Sequence, residues 1–165
     1  MRNNLLIFVI VQLFLALITS VLLIYLHLAP ALEGVIYGHF SMRLIPVILV
    51  ICVYLFAGKF MNVKGVTDGL LLLFLPALIW GVFLVIGYFG GGSEGFLRGA
   101  FRSLWRFPVD IAMLPQMAAA SLLRLKQTPA VYAALAIIPQ GLALLAAATG
   151  PLKYRYRRDS RRHVS

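Results

Sequence analysis

The chain has 165 residues, 62% hydrophobic and 12% charged, with a formal net charge of +10 and a mean hydropathy of +0.94. Soluble domains are about half apolar and about one quarter charged, so an ordinary water-facing surface is excluded. The apolar residues gather into four uncharged runs, at 5–26, 44–57, 70–89 and 130–149. Only helices and closed barrels satisfy their backbone in lipid, and barrel strands alternate, so the expected fold is an all-α integral membrane protein.

The first run has 22 residues, and a helical crossing needs about 20. Arg2 before it and Ala29-Pro30-Ala31 after it imitate a secretory signal. A signal core runs only about 7–15 residues, so a retained first span is expected. The second run is short, about 21 Å at 1.5 Å per residue. Arg43 and Lys59 bracket it, and both can extend their charges outward along apolar stems. With Phe60 and Met61 it reaches a span at 44–61. The lone cysteine, Cys52, lies within it, which rules out an intramolecular disulfide and leaves a zinc site unsupported. Residues 58–69 read as a polar loop, and 70–89 as the third span.

Gly90-Gly91-Gly92-Ser93 reads as a flexible break. It lacks the lysine and strand context of a phosphate-binding loop. Residues 95–107 follow, and at 100° per residue Arg98, Arg102 and Arg106 form one stripe. Phe96, Leu97, Ala100, Phe101, Leu104, Trp105 and Phe107 fill the opposite arc. This predicts an amphipathic helix in the membrane surface, its cations at anionic headgroups and Trp105 at the acyl boundary.

Residues 107–123 are apolar apart from Asp110, Pro115 and Gln116. A fifth span, a re-entrant hairpin and a buried helix along the bundle all fit that pattern. Asp110 is the functional candidate of the chain, the acid best placed for burial. On a continuous helix it faces Arg106, four residues earlier. A helix-start acid or a purely structural pair is the favoured account of it, because a salt bridge needs no function to persist. A faint echo links 112–120 to 136–143 through Pro115-Gln116 and Pro139-Gln140. Duplicated broken helices occur in transporters, but segments this short match by chance.

The last span covers 130–149, and residues 1–152 form one polytopic domain with a basic tail at 153–165. Six of the fifteen basic residues lie in that tail: Lys153, Arg155, Arg157, Arg158, Arg161 and Arg162. Basic flanks stay on the cytoplasmic side, which explains the net charge without nucleic acid. Four spans place nine cations inside against six; five spans place ten against five. Arg2 before the first span and Glu33 after it favour four, with both ends inside. The lack of an Asn-x-Ser/Thr sequon fits a bacterial cytoplasmic membrane.

None of the four uncharged runs contains Asp, Glu, Lys, Arg or His, and an ionisable side chain at membrane depth is the usual requirement for ion-coupled transport. Gln12 and Gln140 can hydrogen-bond between helices, while Gly81 and the alanines of 143–148 suit close packing. His27, His39 and His163 are scattered, so no metal or cofactor is expected. His39 has only Glu33, Ser41 and Arg43 near it in sequence, with no recognisable catalytic motif. The expected function is a non-enzymatic accessory or assembly subunit of a larger membrane complex, with a protein partner or a second copy of itself. A small oligomeric transporter or channel without a coupling ion is the alternative, and a lipid-modifying enzyme using His39 or Asp110 the third reading.

Overall fold

The computed structural model describes residues 2–63, 65–97, 104–126 and 128–150. It contains seven helices among them: α1 (Arg2–Leu28), α2 (Pro30–Gly38), α3 (Phe40–Phe60), α4 (Val66–Leu97), α5 (Phe107–Ala112), α6 (Leu114–Leu122) and α7 (Pro129–Ala148). Four are long and apolar enough to cross a membrane, at Asn4–Leu28, Phe40–Phe60, Val66–Gly92 and Pro129–Ala148. Each expected span is present, and the first three extend beyond their uncharged runs. Helices continue through polar ends wherever the backbone bonds can be completed; charge marks only where the apolar part stops.

Side-chain contacts establish how the helices run. Asn4 donates from Nδ2 to the Asn62 carbonyl at 2.9 Å and accepts from the Asn62 amide at 3.0 Å. The start of α1 is thereby clamped to the end of α3. Lys59 donates to the hydroxyl of Thr149, so α7 ends beside α3. Gly69, at the start of α4, also faces Leu144. These groups define one end of the bundle, the near end. α1 and α4 run away from it, and α3 and α7 run towards it. Residues 4 and 149 share an end, so the described chain traverses the bundle an even number of times, and a fifth traverse at 107–123 does not occur.

That segment instead forms two short helices, with Met113 as the turn between them. It leaves and returns at the far end, and it packs against α1, α3 and α4. Its floor is deep, because Ala112 reaches Gln12, and Gln12 lies about 12 Å along α1 from Asn4. Of the three sequence readings, the fifth span is not found, and the segment is a hairpin of two short helices packed into the bundle. Pro108 and Pro115 stand at the first turns of α5 and α6, where a missing N–H costs nothing. α6 stops at Arg124, whose φ is +55°. There the Arg124 amide bonds Ser121 at 2.9 Å and the Leu125 amide bonds Ala120 at 3.0 Å, which caps the last carbonyls. The echo between 112–120 and 136–143 has no structural counterpart: Pro115 opens a helix, whereas Pro139 lies inside one.

Each long helix buries one stripe. In α1 it is Asn4, Phe8, Gln12, Leu15 and Thr19, spaced by three or four residues as a helix face requires. Phe8 stacks on Tyr54 and lies tilted against Trp80, with centroids 6.2 and 5.9 Å away. The tightest seam joins α3 to α7. A Cβ at Gly58 would come within 2.8 Å of the Ala146 methyl, and closer still to the Ala143 carbonyl. Of the alanines expected to pack closely, Ala143, Ala146 and Ala147 are buried and Ala148 is exposed, whereas a Cβ added at Gly81 would meet nothing within 4 Å. α4 runs through Gly90 and Gly91 and departs from helical geometry only at Gly92, where φ is +70° and ψ 160°. The expected break in the glycine run therefore falls at Gly92, where two helical stretches meet at a kink.

Candidate functional site

Two hydrogen-bonded groups of buried polar side chains surround the α5–α6 hairpin, while Asn4, Thr19, Arg43 and Gln140 are buried outside them. The upper group, towards the far end, consists of Arg106, Asp110 and Tyr132. Arg106 precedes α5, and Asp110 occupies the first turn. One helical turn brings them together, with Nε donating to Oδ1 at 2.9 Å and both side chains 0% exposed. The guanidinium lies 5.1 Å from the ring centroid of Tyr132 and donates from Nη2 to its hydroxyl. An arginine fork can serve a carboxylate and a phenol together because its donors point in fixed, divergent directions.

Burial of both partners makes the pair asymmetric in energy. Replacing both by apolar groups is often harmless, whereas removing one strands a charge at a cost of about 3–5 kcal/mol. The Arg106–Asp110 spacing was legible as an (i, i+4) pair. The expectation for Arg106 as part of a headgroup-facing stripe is corrected: it is enclosed by protein. A projection of 95–107 as one helix assumes continuity, but residues 104–106 form a turn and a new helix starts at Phe107. Trp105 is 54% exposed, and its indole lies against Gly90, where an added Cβ would come within 2.6–2.9 Å of the ring. Arg98 and Arg102 lie outside the described residues, as does the basic tail.

The lower group consists of Gln12 on α1, Tyr54 on α3 and Gln116 on α6. The Gln12 amide donates to the Ala112 carbonyl at 2.6 Å and to Gln116 Oε1 at 3.2 Å. Gln116 donates in return to Gln12 Oε1 at 3.1 Å and to the Tyr54 hydroxyl at 3.0 Å. Tyr54 donates to Gln12 Oε1. Three helices are thus tied at one level, and each amide matches donor to acceptor. Gln12 fulfils its expected role as an interhelical bridge. Gln140 does not: it is 0% exposed, and neither amide atom has a hydrogen-bond partner.

Neither group has the parts of a hydrolytic site. A nucleophile beside a general base is absent from both, and among the described residues no three His, Cys, Asp or Glu side chains gather as metal ligands. Neither His27 nor His39 belongs to either group. What the two groups can do chemically is hold the hairpin in place and present one fixed, internally neutralised charge pair. Tyr54, Gln116 and Tyr132 were not singled out from sequence as partners. Tyrosines near the ends of apolar helices are common, and nothing local distinguishes one that turns inward. Comparison with family models, with curated proteins and with solved structures gives no match to this chain.

Proposed function

We propose that this chain is a multi-pass membrane protein with both ends cytoplasmic, serving as a non-enzymatic accessory or assembly subunit of a larger membrane complex. The carrying observation is the contrast between its interior and its exterior. Inside, the polar groups of the hairpin spend most of their bonding capacity on one another. Outside, only 22% of the most apolar window of each of the first three candidate spans is buried. Such a body has wide apolar faces for lipid and for neighbouring helices, and a closed polar core that holds its shape. The six tail cations favour the cytoplasmic placement of the C-terminus.

A specific observation favours the alternative, a small oligomeric transporter or channel. Non-helical backbone at membrane depth is tolerated where it is buried or lines a water-filled path, and Gln140 has a buried amide with bonding capacity to spare. Purification from native membranes in a mild detergent, followed by mass determination of the intact assembly, separates the two. A stoichiometric heteromeric partner is the expected result; a pure homo-oligomer gives the reading to the alternative.

Orientation has its own test. In a Cys52→Ser background, Gly34→Cys on α2 is expected to react with an impermeant thiol reagent in intact cells. Gly65→Cys at the near end should react only after permeabilisation. The reverse pattern inverts the protein in the membrane, and labelling of both positions from outside sinks the four-span arrangement.

A further inference from the structure

We propose that Arg43 forms a binding site for the phosphate group of an anionic phospholipid, at the end of the bundle opposite Asn4 and Thr149. This rests on the membrane reading above for the source of the ligand, and not on the accessory role.

Arg43 lies in the first turn of α3, where its amide bonds the His39 carbonyl at 3.3 Å. It is only 9% exposed, and its Nε is fully enclosed with no hydrogen-bond partner. The other basic residue flanking this helix, Lys59, has Thr149 as a partner. Arg43 has none among the described residues. The acids described at this end do not serve it: Glu33 on α2 is exposed and unpaired with it, and Asp110 is committed to Arg106. A guanidinium keeps its charge in proteins. An enclosed, unpaired cation is costly unless an anion completes it.

Register places this charge near a second one. α3 and α7 run parallel and meet where Gly58 faces Ala143 and Ala146. Counting back equally along both helices sets Val47 level with Tyr132, the partner of Arg106. Arg43 is one turn beyond, about 6 Å further towards the far end. It is there level with the first turn of α7, where Thr128 caps the Val131 amide at 3.4 Å, Pro129 has no N–H to offer and the Ala130 amide is left to favour an anion. Asp110 neutralises Arg106, and Arg124 and Lys126 are exposed to solvent, so the enclosed positive charge at this end is that of Arg43.

The ligand class follows from shape and depth. The guanidinium fork matches two oxygens of a phosphate. Arg43 also stands at the boundary of a helix long enough to cross the membrane, the level at which lipid phosphates lie. Free phosphate has the same chemistry, so the two sources are separated by experiment.

The experiment is native mass spectrometry of the full chain in detergent, titrated with phosphatidylglycerol or with phosphatidylcholine of the same acyl chains. The expected result is one tightly held phosphatidylglycerol per chain, with phosphatidylcholine weaker. Arg43→Gln should weaken phosphatidylglycerol about tenfold or more, as loss of a charged hydrogen-bonding partner does. Arg43→Lys should fall between, since it keeps charge and loses the fork. Arg124→Gln, which removes an exposed cation, should stay within about twofold. Displacement of the lipid by millimolar inorganic phosphate would keep the site and assign it to a soluble anion. Equal binding of the two lipids by the wild-type chain overturns the proposal, as does wild-type affinity in Arg43→Gln. A protein partner lost in Arg43→Gln while lipid binding is unchanged also overturns it. If Arg43→Gln does not fold, the wild-type lipid comparison and Arg43→Lys still decide.

Discussion

Asp110→Ala is expected to destabilise the detergent-solubilised protein by about 3–5 kcal/mol, the largest effect of any single truncation in the hairpin. In a chain of this size that corresponds to a fall in Tm on the order of 10 °C. The loss does not measure the strength of the Arg106–Asp110 attraction. It arises because Arg106, 0% exposed, loses the carboxylate that neutralises it in an enclosed space. The sharper test is therefore the double variant Arg106→Met, Asp110→Leu, which removes both charges and keeps apolar volume. It is expected to recover most of the loss, short of about 1 kcal/mol for the Tyr132 hydroxyl deprived of its donor. Thermal unfolding followed by size-exclusion fluorescence reads all three proteins. If Asp110→Ala melts with the wild type, Arg106 has another route to water or to an anion, and the closed picture of the upper group fails.

The same pair shows what was legible in sequence. Spacing alone brought Arg106 and Asp110 together, because one helical turn is a local property. Whether the pair faced lipid headgroups or protein depended on where helix α5 began. That was decided by a turn at 104–106 and by Tyr132 arriving from 26 residues away. Arg43 carries the same lesson with the opposite sign. Read locally, it was a flanking cation able to reach outward, as Lys59 does. Its burial comes from helices packed beside it, which no spacing along α3 encodes. The four long helices were legible because an uncharged run of about 20 residues has few other fates. The hairpin was legible only as an ambiguity, since an apolar stretch broken by Asp110, Pro115 and Gln116 suits a span, a buried helix or an insertion alike. Its resolution rests on Gln116 meeting Gln12 and Tyr54, two residues that sequence places 104 and 62 positions away.

The α3–α7 seam should be the least tolerant backbone contact in the fold, and Gly58→Leu tests it. Gly58 allows the backbone of α3 to touch that of α7, with the Ala143 carbonyl and the Ala146 methyl occupying the space a side chain needs. Ala143 offers no flexible tip to move aside, because the obstructing atom is its main-chain oxygen. A leucine must push the two helices apart, which would also draw Lys59 away from Thr149 and open the packing around Tyr54. Overpacking typically costs about 1–3 kcal/mol, and this contact should reach at least about 3 kcal/mol because no rotamer escapes the carbonyl. Gly58→Ala should also lose stability, although alanine gains about 1 kcal/mol in helix propensity over glycine. The control is Gly81→Ala on α4, where nothing lies within 4 Å and the propensity gain is unopposed. Opposite signs for the two glycine-to-alanine variants, read as Tm in the same detergent, are the expected outcome. Equal stabilisation of both would mean that α3 and α7 do not meet at Gly58, and the near end of the bundle would have to be rebuilt.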